Sequence, residues 1–417
     1  MSELRVDLDA IKAAKGRIAK HAVETPCQYM PNLSKIAGTN LYFKLETLQR
    51  CRAFKFRGAL SKISTLPKGS TIVCASAGNH SQGCALSAQI CGMKCIVYMP
   101  LTAPITKVDA TKGYGAEVRQ FGFSFDEAFK QMQEDLASNP DWIFVPPFDS
   151  DEVIAGQGTI GLEICRQIPD VDTVVVAVGG GGLAAGVATA VKTLRPNARV
   201  IAVNAAVRPA SYLKYKNLKG QPIDPNCDKK FIGNPLADGI AVINPGKVTF
   251  PYIEKYVDDF VVVTEDEISQ AIVMLAERSK MICEGAGAAP CAAVLFKKFD
   301  FKPDEKIVCV LSGGNIELPL LARCIDRALF LTGRRVNFNV SLPVSSGHYI
   351  KMLEILNQFK FEVLGTFALP NANCYANHIR YVVTVEVPNP ALLEDVKTKF
   401  EENGWIINIT ETQPSDE

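Results

Sequence analysis

The sequence has no surplus of charge of either sign: 45 lysines and arginines stand against 44 aspartates and glutamates, a net charge of +1. That balance lacks the electrostatic footprint of a nucleic-acid binder or of a protein drawn to anionic membrane. CxxC pairs are absent as well. The closest cysteines, Cys91 and Cys95, have no histidine set beside them, so the 13 cysteines scattered from Cys27 to Cys374 read as reduced, buried thiols, and no metal is expected. The first segment, MSELRVDLDAIKAAKGRIAKHA, runs its charges through an amphipathic helical pattern without the apolar core or cleavage site of a signal peptide, so the expected compartment is the cytoplasm. Low-complexity linkers and internal repeats are also missing.

What is present is an ordinary globular composition, 47% apolar and 21% charged, in a chain of 417 residues, longer than one hydrophobic core supports. The uncharged stretch between Asp172 and Lys192 approaches the length of a membrane span, but its four central glycines make it read as strand, loop and helix. No membrane partner is expected.

From Ser70 to about Glu317, short β-branched runs alternate with helical patterns: STIVCAS, KCIVYMP, DWIFVPP, DTVVVAV, ARVIAVN, DFVVVTE and EKIVCVLS. Such alternation predicts parallel sheet with crossover helices. Thr264 and Glu267 form a capping-box pattern before the apolar-periodic ISQAIVMLAERSKM. After PLLARCIDRALFLTG the pattern becomes strand, helix, two strands, helix and strand within about 80 residues, a ferredoxin-like unit. The Gly333 to Arg335 turn is the expected boundary, dividing residues 1–334 from 335–417.

Four segments could carry chemistry. Lys55 lies between Phe54 and Phe56, followed by Arg57-Gly58-Ala59; burial would free its amine to condense with an aldehyde, although taken alone the residue reads first as a snorkelling lysine. Ser76-Ala77-Gly78-Asn79-His80 follows a strand and opens a helix, where exposed amides suit a carboxylate or phosphate. His80 either contacts that anion or simply sits in the first turn. Gly179, Gly180, Gly181, Gly182 and Leu183 join a strand to a helix and let several backbone N–H groups converge on a phosphate. Read as Gly179-x-Gly181-x-x-Ala184, the same loop satisfies a relaxed dinucleotide fingerprint, but the next strand ends at Asn204, where a nicotinamide enzyme needs an acid. Ser312-Gly313-Gly314-Asn315 follows another strand. Two further segments, Ala237 to Ile240 around Gly239 and Glu284 to Ala288, read individually as packing turns rather than as sites.

In order and over nearly the whole chain, these segments resemble the fold-type II pyridoxal-phosphate enzymes, specifically the threonine/serine dehydratases. The resemblance implies an α/β fold of two open, twisted, mostly parallel sheets, like that of the tryptophan synthase β chain, with pyridoxal 5′-phosphate between them. A small subdomain of about residues 50–151 would be inserted into the larger one. Lys55 would hold the cofactor as a Schiff base, with Phe54 beside it, and then remove the substrate α-proton. Asn79 would bond the cofactor 3′-oxygen, and Ser76, Ala77, Gly78, Asn79 and His80 would take the substrate carboxylate. Gly179 through Leu183 would bind the phosphate, Ser312 with Gly313 would meet the pyridine nitrogen, and Gly239 and Glu284 would line the ring. A hydroxyl at that nitrogen makes a weaker electron sink than a carboxylate would, which favours elimination. The implied reaction takes L-threonine to 2-oxobutanoate and ammonia, and L-serine to pyruvate. The last unit resembles an ACT-type regulatory domain, with the turn Pro343 to Gly347 as a contact for an amino-acid or nucleotide effector, and relatives form homodimers or homotetramers.

The chain departs from the family pattern in two places and differs from the serine racemases in a third. Arg52-Ala53 stands where a small residue and serine are usual. Asn204 to Arg208 lacks the acids of metal-binding relatives. Ala77 occupies the place where serine racemases carry a second serine, which favours dehydration. Serine racemase, a β-replacement enzyme and a non-catalytic amino-acid sensor are the competing readings.

Overall fold

The computed structural model describes residues 4–228, 231–369 and 375–410, so Cys374 lies outside the described residues. All seven β-branched runs become strands, paired in parallel. In chain order the strands are β1 (Cys27–Tyr29), β2 (Asn40–Leu45), β3 (Thr71–Ala75), β4 (Lys94–Met99), β5 (Glu117–Gln120), β6 (Trp142–Phe144) and β7 (Thr173–Ala177). They continue with β8 (Arg199–Ala205), β9 (Asp259–Val263), β10 (Lys306–Leu311), β11 (Arg335–Pro343), β12 (Glu362–Leu369), β13 (His378–Glu386) and β14 (Ile406–Thr410).

A six-stranded sheet runs β1-β2-β10-β7-β8-β9, and only β1 is antiparallel to its neighbour. A four-stranded, wholly parallel sheet runs β5-β4-β3-β6 and is made entirely from chain lying between β2 and β7. Val174, Val176, Val200, Ala202, Val308 and Val310 are buried in the larger sheet, as expected where helices cover both faces. The predicted capping box forms: the Thr264 side chain accepts from Glu267 N–H, and the Glu267 carboxylate accepts from Thr264 N–H at the start of helix Glu265–Ser279. Among the described residues no helix is long and apolar enough to cross a membrane.

Three strands escape the sequence pattern. In β2 the fully buried Lys44 breaks the apolar run, β1 has three residues, and β5 is a short, largely polar edge strand.

The chain divides into two compact units, Met1–Glu317 and Leu318–Glu417. The division falls a helix earlier than the Gly333–Arg335 turn, because helix Leu318–Leu331 packs against β11. The second unit is an antiparallel sheet ordered β12-β13-β11-β14, with helices Ser346–Gln358 and Leu393–Glu402. Its alternating Val336, Phe338, Val340 and Leu342 point inward to meet Phe400 and Trp405.

Candidate active site

Ligands of open parallel sheets sit beyond the strand carboxyl ends. The loops after β3, β7 and β10 all begin there, at Ser76, Val178 and Ser312.

Lys55 is the first residue of helix Lys55–Ile63. The segment before it pairs with the loop after β10: Phe54 N–H donates to the Ser312 carbonyl at 2.9 Å, Gly314 N–H donates to the Arg52 carbonyl at 2.9 Å, and Ala53 bridges Gly313. Arg52 takes a left-handed φ of 56° to make that approach. The Lys55 Nζ donates to the Pro147 carbonyl at 2.8 Å and lies 5.2 Å from the centre of the Phe54 ring. It is half-buried, surrounded by protein yet still partly reached by solvent. Burial pushes its pKa down to about 8, only partly opposed by Cys84 and Glu284.

Asn79 opens helix Asn79–Cys91 and is held from both sides. Its Nδ2 donates to Glu284 Oε1 at 2.7 Å, and its Oδ1 accepts from Asn315 Nδ2 at 2.7 Å. Asn315 also donates to the Cys51 carbonyl at 2.9 Å, so residues far apart in sequence meet in one polar chain. Burial, then the charge of Asp238, pushes the Glu284 carboxyl up to about 7, although the Asn79 bond opposes the rise. Within the loop, Ser76 Oγ accepts from Gly78 N–H at 3.1 Å, so this amide is already engaged, and Ala77 is half-buried beside it. The His80 ring turns into the core, with Nε2 2.9 Å from the Val145 carbonyl, and only its backbone remains at the helix start.

The glycine loop has its carbonyls engaged and its amides free. Gly179 O accepts from Ser211 Oγ at 2.7 Å, Gly180 O from Thr249 Oγ1 at 2.5 Å, and Gly181 O from Ala185 N–H at 2.8 Å. The N–H groups of Gly179, Gly180 and Gly181 donate to no backbone or side-chain acceptor among the described residues, and all three residues are buried. Gly182 and Leu183 add first-turn amides of helix Gly182–Leu194, which have no intrahelical partner. A β-carbon on Gly180 would stand 2.2 Å from the Phe148 ring, and Gly181 has a φ of 96°, so neither position admits a larger residue. Buried amides without acceptors are costly unless an anion arrives, so the loop suits a phosphate, and the nearby depressed lysine suits that molecule's aldehyde. The Gly239 carbonyl lies against Gly179. Asn204, noted in the sequence only for not being an acid, ties this corner together by donating to the Val178 carbonyl at 2.9 Å and the Ile240 carbonyl at 2.7 Å.

Two buried clusters have no counterpart in the sequence reading. Arg57, two residues beyond Lys55, donates to Glu46 at 2.8 Å and to Glu163 at 2.6 Å, while Lys44 donates to Glu163 at 2.6 Å. Thr25 and Thr159 complete a quartet of two cations and two carboxylates shut off from water. Burial works against ionisation there, yet Arg57 holds the Glu46 carboxyl below its usual range. Cys74, His80 and Cys84 form the second cluster, their ligand-type atoms within 4.8 Å of one another. The sequence rule missed it because the donors come from a strand and one helix face instead of a CxxC. Burial, with the Lys55 charge, pushes His80 down to about 3, and burial raises the Cys84 thiol, so at neutral pH this cluster is uncharged. Cys51, Cys95, Cys283, Cys291 and Cys309 are further free, buried thiols.

Comparison with known proteins agrees with this chemistry. The family model described as pyridoxal-phosphate dependent enzyme matches residues 18–313. The L-threonine ammonia-lyase of Thermotoga maritima is 40% identical over 369 residues, covering 87% of this chain and 88% of that protein. The solved structure of the processed form of threonine deaminase isoform 2 from Solanum lycopersicum superposes with a TM-score of 0.69 at 35% identity, covering 78% of this chain and 89% of that one. Maize serine racemase superposes with a TM-score of 0.68 at 31% identity, covering 78% of this chain and 98% of the racemase.

Proposed function

The chain belongs to the pyridoxal-phosphate-dependent enzymes, and from that premise we infer that it is an L-threonine ammonia-lyase, converting L-threonine to 2-oxobutanoate and ammonia and accepting L-serine more poorly. The observation that carries the reading is that adjacent residues hold both parts of the site, the Pro147 carbonyl accepting from Lys55 Nζ and the Phe148 ring lying against the glycine loop, whose Gly179 to Gly181 amides have no acceptor among the described residues. Pyridoxal phosphate, when bound, supplies the electron sink that makes the α-proton of an amino acid acidic.

The residues divide the remaining work. The amides of Gly179 through Leu183 hold the phosphate, and Asn79, steadied by Glu284 and Asn315, faces the phenolic oxygen. Ser312 presents a hydroxyl to the pyridine nitrogen, and Phe54, Gly239 and Gly313 shape the walls. The Lys55 amine is the base that takes the α-proton at Nζ; with a pKa near 8 it holds a usable fraction of neutral amine at working pH. The Ser76–His80 loop offers backbone N–H groups to the substrate carboxylate, with Gly78 already engaged by Ser76. Ala77 leaves the opposite face without a hydroxyl that could return the proton, which favours elimination over racemisation.

The second unit has the strand order of a ferredoxin-like fold and serves as an ACT-type regulatory domain in this reading, with the Pro343–Gly347 turn receiving an amino-acid or nucleotide effector. The enzyme acts as a cytoplasmic homodimer or homotetramer. The test is release of 2-oxobutanoate from L-threonine by purified protein, with and without isoleucine and AMP, alongside light scattering for oligomeric state. Absence of 2-oxobutanoate, with a D-amino acid formed instead, would overturn the activity.

A further inference from the structure

On the reading that the glycine loop receives a phosphate, we infer that Asp149 is a positioning residue for that loop, acting through Thr249 to aim the Gly181 amide. Asp149 is bonded to three successive backbone N–H groups: Oδ1 accepts from Val248 at 2.7 Å and Thr249 at 3.2 Å, and Oδ2 accepts from Lys247 at 3.0 Å. The turn so gathered presents the fully buried Thr249, whose Oγ1 donates to the Gly180 carbonyl at 2.5 Å.

A peptide unit is planar, and its N–H points opposite to its C=O. Fixing the Gly180 carbonyl therefore fixes the direction of the Gly181 N–H. The Ser211 bond to the Gly179 carbonyl does the same for the Gly180 N–H. Two buried hydroxyls thus set the aim of two phosphate-facing amides, and one of them is itself held in place by Asp149. The contact is tight: a β-carbon on Gly246 would lie 2.3 Å from Thr249 Oγ1, 2.7 Å from Asp149 Oδ1 and 2.8 Å from Gly180 O, so these groups meet only because residue 246 has no side chain. The residues before Asp149 serve the same site, with the Pro147 carbonyl holding Lys55 and the Phe148 ring pressed on Gly180. A loop of three residues thereby fixes the amine end and the phosphate end of the site at one spacing.

The experiment compares pyridoxal phosphate with pyridoxal, which carries the aldehyde and lacks the phosphate, in titrations of the cofactor-free full chain followed by visible absorbance. Asp149→Ala should weaken pyridoxal phosphate by about tenfold or more and leave pyridoxal within roughly twofold of its wild-type affinity. Thr249→Val, which keeps the side-chain shape and removes the hydroxyl, should repeat that selective loss with Asp149 intact, and Thr249→Ser should restore it. Should Asp149→Ala fail to fold, the Thr249 pair decides. Equal weakening of both ligands, or no weakening in either variant, overturns the inference. A wild-type protein that shows no preference for the phosphorylated ligand would instead sink the reading of the glycine loop itself.

Discussion

Two buried polar regions lie two residues apart on one helix and behave in opposite ways. Around Arg57, every strong donor has an acceptor: Glu46, Glu163, Thr25 and Thr159 close the network, and Lys44 balances its charge. Around Lys55, the amine has one carbonyl, its pKa has fallen to about 8, Glu284 has risen to about 7, and the amides of Gly179 to Gly181 have no acceptor among the described residues. Buried charge alone does not mark a site. What marks it is burial with the partners left out, since an unsatisfied polar group in a low-dielectric cleft retains its interaction energy for a ligand.

The contrast can be broken from both sides. Lys55→Ala should lower 2-oxobutanoate formation by at least about a thousandfold while leaving the urea midpoint no lower than wild type; retained turnover would end the assignment of Lys55. Arg57→Met should do the reverse, costing about 3–5 kcal/mol of stability by stranding two carboxylates beside one lysine. Urea denaturation measures that loss, and the molecules that stay folded should keep the visible absorbance of bound cofactor. A variant as stable as wild type would remove the distinction between the two regions.

A smaller effect concerns Glu284. Its folded-state pKa is raised from 4.5 to about 7, so the folded chain holds a proton there that the unfolded chain releases, and the resulting stability is full below about 4.5 and lost as pH climbs through 7. Urea midpoints of cofactor-free protein across that range should slope downward in wild type and less so in Glu284→Gln. Equal slopes would remove Glu284 from the under-satisfied set. The smallest expected change lies outside both regions: Ser345 caps helix Ser346–Gln358 by accepting from Gly347 N–H, and Ser345→Ala should cost the second unit about 1 kcal/mol without altering threonine turnover in the absence of effector.

The parallel sheets were legible because β-branched runs and glycine turns are local signals. The glycine loop, Asn79 and Ser312 stand out in the sequence for the same reason, each lying at or just beyond the end of a strand with its candidate chemistry in adjacent residues. Arg57 was visible only as a neighbour of Lys55, because its partners Glu46 and Glu163 come from separate elements and look like ordinary surface charges in the sequence. Pro147 contributes a carbonyl, which no residue type advertises, and Asp149 binds amides instead of side chains. For His80 the sequence left two positions open, and the Val145 carbonyl together with Cys84 draws the ring into the core.

The position of β10 bears on how the protein is made. It is the last strand of its sheet to be synthesised, yet it lies between β2 and β7, pairing with both. Until residues 306–311 have left the ribosome, the β1–β2 ribbon and the β7–β8–β9 block share no ladder, and the loop that grips Phe54 and Asn79 does not exist. A nascent chain therefore carries two half-sheets with unjoined edges from the completion of β9 until β10 emerges. The strand that finally joins them also delivers Ser312 to Asn315, so the sheet and the catalytic cleft are completed in a single late event.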